Sequence, residues 1–195
     1  MKRTLLAVLA TLVVTTSATK AEAKIVEIWG AGLIGYAYGE GSTDKDFFRF
    51  ARGGAGGFEV GAKLLFFSAF IDYLRFFGGT AGANLLGINL GGDGDINLAG
   101  SVSLILRAAG TFYVGTLPSD AAVNQSTGAM VNTRGVGARG GLGLRYGFLK
   151  VLSVQLLPEV GYHYFFGGAE QSVLSDNSSG WDFRVMAYLR AGIGI

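Results

Sequence analysis

Residues 181–195 read Trp181-Asp182-Phe183-Arg184-Val185-Met186-Ala187-Tyr188-Leu189-Arg190-Ala191-Gly192-Ile193-Gly194-Ile195. Every second residue, from Trp181 through Phe183, Val185, Ala187, Leu189, Ala191 and Ile193 to Ile195, is apolar. The interleaved set holds Asp182, Arg184, Met186, Tyr188, Arg190 and two glycines. Successive side chains of a β-strand point to opposite faces, so a period of two over fifteen residues is a strand with one apolar and one polar face. A strand of that length exceeds what most soluble sheets use.

The same alternation recurs upstream. Phe58, Val60, Ala62, Leu64 and Phe66 oppose Gly57, Glu59, Gly61 and Lys63. After a turn expected at Ser68-Ala69, a shorter run carries Ile71, Tyr73 and Phe77. Leu86, Ile88 and Leu90 come next, and Gly91-Gly92-Asp93-Gly94-Asp95 reads as the turn that ends them. Leu98, Val102, Leu104, Leu106, Phe112 and Val114 form a fifth run against Asn97, Ser101, Ser103, Arg107 and Thr111. Val136, Ala138, Leu142, Leu144, Tyr146 and Phe148 oppose Gly137, Arg139, Gly141, Gly143 and Arg145. Val154, Leu156, Val160, Tyr162 and Tyr164 oppose Ser153, Gln155, Glu159 and His163. With Ile25–Tyr38, whose two faces are not separable by polarity, the count is eight. Connections near 39–53, 116–134 and 167–180 are long, that near 78–84 is modest, and those near 67–69, 92–95 and 149–151 are short. Long loops at one end and tight turns at the other are the habit of a membrane barrel, and an even strand count returns both termini to the short-turn side.

The first residues look like an export signal. Lys2 and Arg3 precede an apolar run from Leu5 to Val14, and Ala21-Glu22-Ala23 offers the small-x-small pattern of a cleavage site. Residues 1–23 are therefore expected to be a cleaved signal peptide, and residues 24–195 the barrel. Removing them takes away three cations and one anion, which leaves 13 against 13. The apparent basicity thus belongs to the signal and makes no case for nucleic acid. Cysteine is absent and His163 is the only histidine, which argues against disulfides, a lipoprotein anchor, a zinc site or a thiol nucleophile. Mean hydropathy is +0.41, yet beyond the signal no run reaches the 18 apolar residues of a spanning helix. Gly is 33 of 195 residues and Pro only 2. An apolar exported chain without a spanning helix satisfies its backbone in lipid only by closing a barrel. The expected fold is all-β, an eight-stranded antiparallel up-and-down transmembrane β-barrel.

Aromatics near strand ends suit the two membrane interfaces. The polar faces then point inward, where an eight-stranded lumen has room for side chains only. They bring together Glu59, Lys63, Arg107, Arg139, Arg145, Glu159, His163, Asp182, Arg184 and Arg190, with Asp72 a further candidate. Buried charges require partners, so an ionic network filling the lumen is expected, with His163 as a structural member. Within Glu40–Arg52, the first long connection, Asp44, Lys45, Asp46, Phe47, Phe48, Arg49, Phe50 and Arg52 are candidates for a surface contact. Continuation of a strand above the membrane is an equal reading of Phe47–Phe50.

In this architecture the mature chain resembles the small eight-stranded outer-membrane barrels of the OmpA-transmembrane-domain and OmpX type. The closing strand, apolar at every second position to the carboxyl end, resembles the signal read by the barrel-assembly machinery, although it ends on Ile195 rather than Phe. The resemblance implies the cell outer membrane, with its lipids and lipopolysaccharide as partners, no cofactor and no nucleic acid. The functional expectation is a non-enzymatic barrel of structural or surface-interaction type with a charged, plugged lumen. A narrow pore for small solutes is the alternative. Behind it stand a lipid-modifying enzyme, for which no G-x-S-x-G motif is present, and a soluble periplasmic barrel.

Overall fold

The computed structural model describes residues 25–42, 46–78, 82–117, 131–166 and 177–194. The expected signal peptide, residues 1–23, lies outside them. The strands are β1 (Val26–Gly41), β2 (Gly53–Leu64), β3 (Phe67–Phe76), β4 (Asn84–Ala99), β5 (Val102–Leu117), β6 (Val131–Gly147), β7 (Leu152–Phe166) and β8 (Ser178–Gly194). A single helical turn, α1 (Phe47–Phe50), lies between β1 and β2. Each strand pairs antiparallel with the next, and β1 pairs with β8 from Glu27↔Gly194 to Gly41↔Gly180, which closes the barrel. Even the shortest strand, β3, has 10 residues, enough for a tilted strand to cross the apolar core of a bilayer.

Alternation sorts the wall into two chemistries. Ile34 is 66% exposed, Leu90 69% and Ile193 69%, whereas Glu59 and Arg184 are each 1% exposed. A water-soluble barrel has the opposite arrangement, so the soluble alternative is set aside. β1, ambiguous by sequence, resolves in the same way: Ile28, Ile34 and Tyr36 face out and Trp29, Leu33 and Ala37 face in. Both of its faces are apolar, which is why polarity alone could not separate them.

Two turns fall elsewhere than the sequence reading put them. The β2–β3 turn is Leu65-Phe66, with Leu65 at φ 57°, and Ser68-Ala69 belong to β3. A left-handed residue is what a two-residue hairpin needs, and here a leucine supplies it. The Gly91–Asp95 stretch is not a turn. It is wall: β4 runs on to Ala99 and turns at Gly100-Ser101, where Gly100 has φ 53°. Gly91, Asp93 and Asp95 continue the inward phase of Gly87 and Asn89. Asp93 is 1% exposed and meets a cation inside, so composition that suits a turn here serves a crowded lumen. Gly57 serves the wall in another way: a Cβ there would lie 1.7 Å from the Tyr73 carbonyl oxygen of the neighbouring strand, so glycine lets the two backbones approach. The later long connections are also shorter than read, because β6 begins at Val131 and β8 at Ser178.

Leu90 and Asn89 are neighbours on opposite faces. Leu90→Arg places a guanidinium in the apolar band and is expected to lower unfolding free energy by about 2–4 kcal/mol in phospholipid vesicles. Urea titration followed by Trp fluorescence measures it, and no loss would contradict the assignment of that face to lipid.

Candidate functional site: the charged lumen

The interior is layered. At the short-turn end Lys63 Nζ lies 3.0 Å from Asp95 Oδ2 and 3.6 Å from Glu27 Oε2. Arg145 lies 2.8 Å from the other Asp95 oxygen, and its guanidinium donates to Gln155 Oε1 at 3.3 Å. Arg190 lies 3.0 Å from Glu27 Oε1, with its guanidinium 4.2 Å above the Trp29 ring. Strands from all around the wall contribute to this layer, because the barrel curves them around a lumen only a few side chains wide.

In the middle, Arg107 is held between two carboxylates. Its Nη1 donates to Glu59 Oε2 at 2.8 Å and its Nη2 to Asp93 Oδ2 at 3.0 Å. Trp29 Nε1 donates to Glu59 Oε1 at 2.8 Å. Phe70 lies 4.6 Å from the Arg107 guanidinium carbon, so an aromatic face covers the charge where water would otherwise be needed. Beside it, Arg139 donates to Asp72 Oδ1 at 2.8 Å, and Asn89 Nδ2 donates to the same oxygen at 2.5 Å. Arg184 Nη1 stands 3.8 Å from Asp72 Oδ2, and Arg139 Nε 3.9 Å from Glu159 Oε1. Charged groups taken out of water cost several kcal/mol each unless paired, and these pairings offset part of that cost. A cavity of about 10 Å3 remains among Leu33, Asp72, Arg139, Glu159 and Tyr188, room for one water.

Towards the long connections the charges give way to apolar packing, with His163 at the boundary. Its Nδ1 is 3.2 Å from Asp182 Oδ2 and its Nε2 3.0 Å from Asp46 Oδ2. Carboxylates only accept, so a ring protonated on both nitrogens satisfies both contacts. Asp182 also accepts from Arg184 Nε at 2.9 Å. Asp46 caps α1, accepting from Phe48 N–H at 2.9 Å, and accepts from Ser178 Oγ at 2.6 Å. Burial pushes the Asp46 carboxyl up, but the His163 and Ser178 hydrogen bonds, the His163 charge and the Phe48 N–H outweigh it and hold the group below its ordinary value.

The ten residues expected in the lumen all project inward, and the structure groups them into these layers. The sequence reading missed Glu27, Asp46, Asp93 and Asp95, and with them half of the acidic partners. Asp93 and Asp95 had a signal, their phase with Asn89. Asp46, expected among the surface contacts, is buried instead, and the sequence held no signal for that because a loop carries no period. The surface-contact candidates need correction. Phe47 and Phe48 are fully buried inside the barrel mouth, where the rings of Phe76 and Phe165 take them out of water. Arg49 is exposed, and Asp44 and Lys45 lie outside the described residues.

No protein-family model and no curated protein matches this chain. Among solved structures it is similar to Neisserial surface protein A, with a TM-score of 0.57 at 12% identity over 84% of this chain and 96% of that one. The N-terminal β-barrel domain of Pseudomonas aeruginosa OprF matches at TM-score 0.42, 12% identity, and 86% and 98% coverage. Ail, the attachment invasion locus protein of Yersinia pestis, stands at 0.39, 10%, and 86% and 99%. The first of these carries the comparison, and at 12% identity it is a likeness of fold: the chain is an eight-stranded transmembrane β-barrel of the kind that small outer-membrane proteins build.

Proposed function

We propose that this chain is a structural or surface-interaction protein of the cell outer membrane whose lumen is closed by its own charges. One observation supports the reading above the others: ion pairs span the lumen at successive levels, from Arg190–Glu27 through Arg107–Glu59 and Arg139–Asp72 to His163–Asp46. Side chains so paired hold each other across the path a solute would take. In this orientation the termini and short turns face the periplasm, and the apolar alternation of β8 supports its resemblance to the signal read by the barrel-assembly machinery. Arg134 is exposed on the outer face of β6 beside Phe166, and an exposed guanidinium there supports a contact with lipopolysaccharide phosphates. A catalytic role finds no support in His163, which has no exposed surface and has both ring nitrogens engaged.

Three measurements test this reading. Membranes from expressing cells should yield the protein in the outer-membrane fraction, as a band whose mobility shifts on boiling in SDS; a soluble periplasmic band without a shift would refute it. In planar bilayers the wild type should give no unitary current steps, and regular steps would favour the narrow-pore reading. Arg107→Ala strands Glu59 and Asp93 as unpaired buried carboxylates and should cost about 3–5 kcal/mol in urea unfolding. A loss under about 1 kcal/mol would mean that water already screens the lumen.

A further inference from the structure

The long-connection mouth of the barrel is filled by its own loop. α1 lies within the wall, and Asp46, Phe47, Phe48 and Ala51 have no exposed surface. The wall makes room for it with glycine. A Cβ at Gly39 would lie 2.6 Å from Phe48 Cβ, one at Gly41 2.1 Å from Asp46 Cβ, and one at Gly115 2.7 Å from the Phe47 ring. Three strand positions thus form a cradle that any larger residue would fill.

What fastens α1 there is side chains. Its Arg49 N–Asp46 O and Ala51 N–Phe47 O hydrogen bonds close within the turn itself. The Asp46 carboxylate takes one donor from β8 (Ser178 Oγ) and faces His163 Nε2 of β7. The Phe47 ring centroid lies 5.5 Å from that of Phe165 and 6.3 Å from that of Phe76. The Phe48 ring centroid lies 4.9 Å from that of His163, with the Arg184 guanidinium 5.4 Å away on the ring's face. The occupant of the mouth is therefore one carboxylate attached to two aromatic rings. Its surroundings are apolar side chains with a few convergent donors, which once vacated would have the usual build of a small-molecule site.

We infer that this pocket is a binding site held shut by a tethered occupant, and that its ligand class is a small amphipathic carboxylate. The carboxylate of such a ligand replaces that of Asp46 on Ser178 and His163, and its aromatic or short acyl body replaces the Phe47 and Phe48 rings. A neutral analogue lacks the group those donors require, and a cation would meet His163 and Arg184. The inference goes beyond the structural role proposed above and does not depend on whether the lumen conducts.

The test uses the full barrel in lipid nanodiscs. The chain has no native cysteine, so Arg52→Cys beside the exposed end of α1 takes a single environment-sensitive fluorophore. The probes are 4-phenylbutyrate and its neutral counterpart 4-phenyl-1-butanol. In this labelled background 4-phenylbutyrate should shift the emission saturably. In Asp46→Ala/Phe47→Ala/Phe48→Ala, which vacates the pocket and frees Ser178 and His163, it should bind about tenfold more tightly, and about tenfold more tightly than the alcohol. Adding His163→Gln should abolish that preference. A triply substituted barrel that still shifts on boiling but binds neither probe, or both equally, overturns the proposal. If that barrel does not fold, Asp46→Ala, which only loosens the occupant, is expected to tighten 4-phenylbutyrate binding, and unchanged affinity there overturns the proposal as well.

Discussion

In hydrocarbon every strand amide must find its carbonyl within the protein, and here that condition is met only because β1 and β8 pair along their length. An open sheet of the same eight strands would leave two edges unsatisfied in lipid. Closure also sets the lumen's width, and the width governs the packing inside. Eight strands leave room for a layer of side chains and almost nothing else, so an inward arginine has its neighbours chosen for it by the wall.

That narrowness explains the mixture of very small and very large residues on the inner face. Arg107, Arg139, Arg184 and Arg190 are each at most 5% exposed, and each spreads a guanidinium across the lumen. Glycines among them, such as Gly87 facing Asp72 and Gly161 facing Asp182, leave the space those side chains and their partners occupy. Trp29 and Phe70 fill the gaps as apolar covers over charged groups. Charge, cover and void are thus three parts of one packing problem, solved layer by layer along the axis.

How much of this the sequence disclosed depends on the polarity contrast at each strand. β8 and β2 were legible because one face is apolar and the other carries Asp, Glu, Lys and Arg. β1 was not, because Trp29 and Leu33 inside match Ile28 and Ile34 outside in character. The end of β4 was misread because Gly and Asp serve tight turns and crowded lumens alike. Phase shows which face a residue takes but not its level along the axis. It therefore placed Glu59 and Arg107 on the same side of the wall without revealing that they touch. α1 left no trace, since one helical turn is too short for a period and Phe47 and Phe48 look alike in a loop and in a core.

The seam of the barrel joins the two ends of the chain. Glu27 and Gly194 are register partners, so the contact that completes the structure is also the one most distant along the sequence. Its loop-closure entropy falls due after all seven hairpin pairings have become available, and contacts of that range slow folding. Until the last strand arrives, the nascent sheet exposes two sticky borders to any neighbouring chain. The open sheet that precedes closure is therefore the state of this topology most exposed to mispairing with another chain, whatever the finished barrel does.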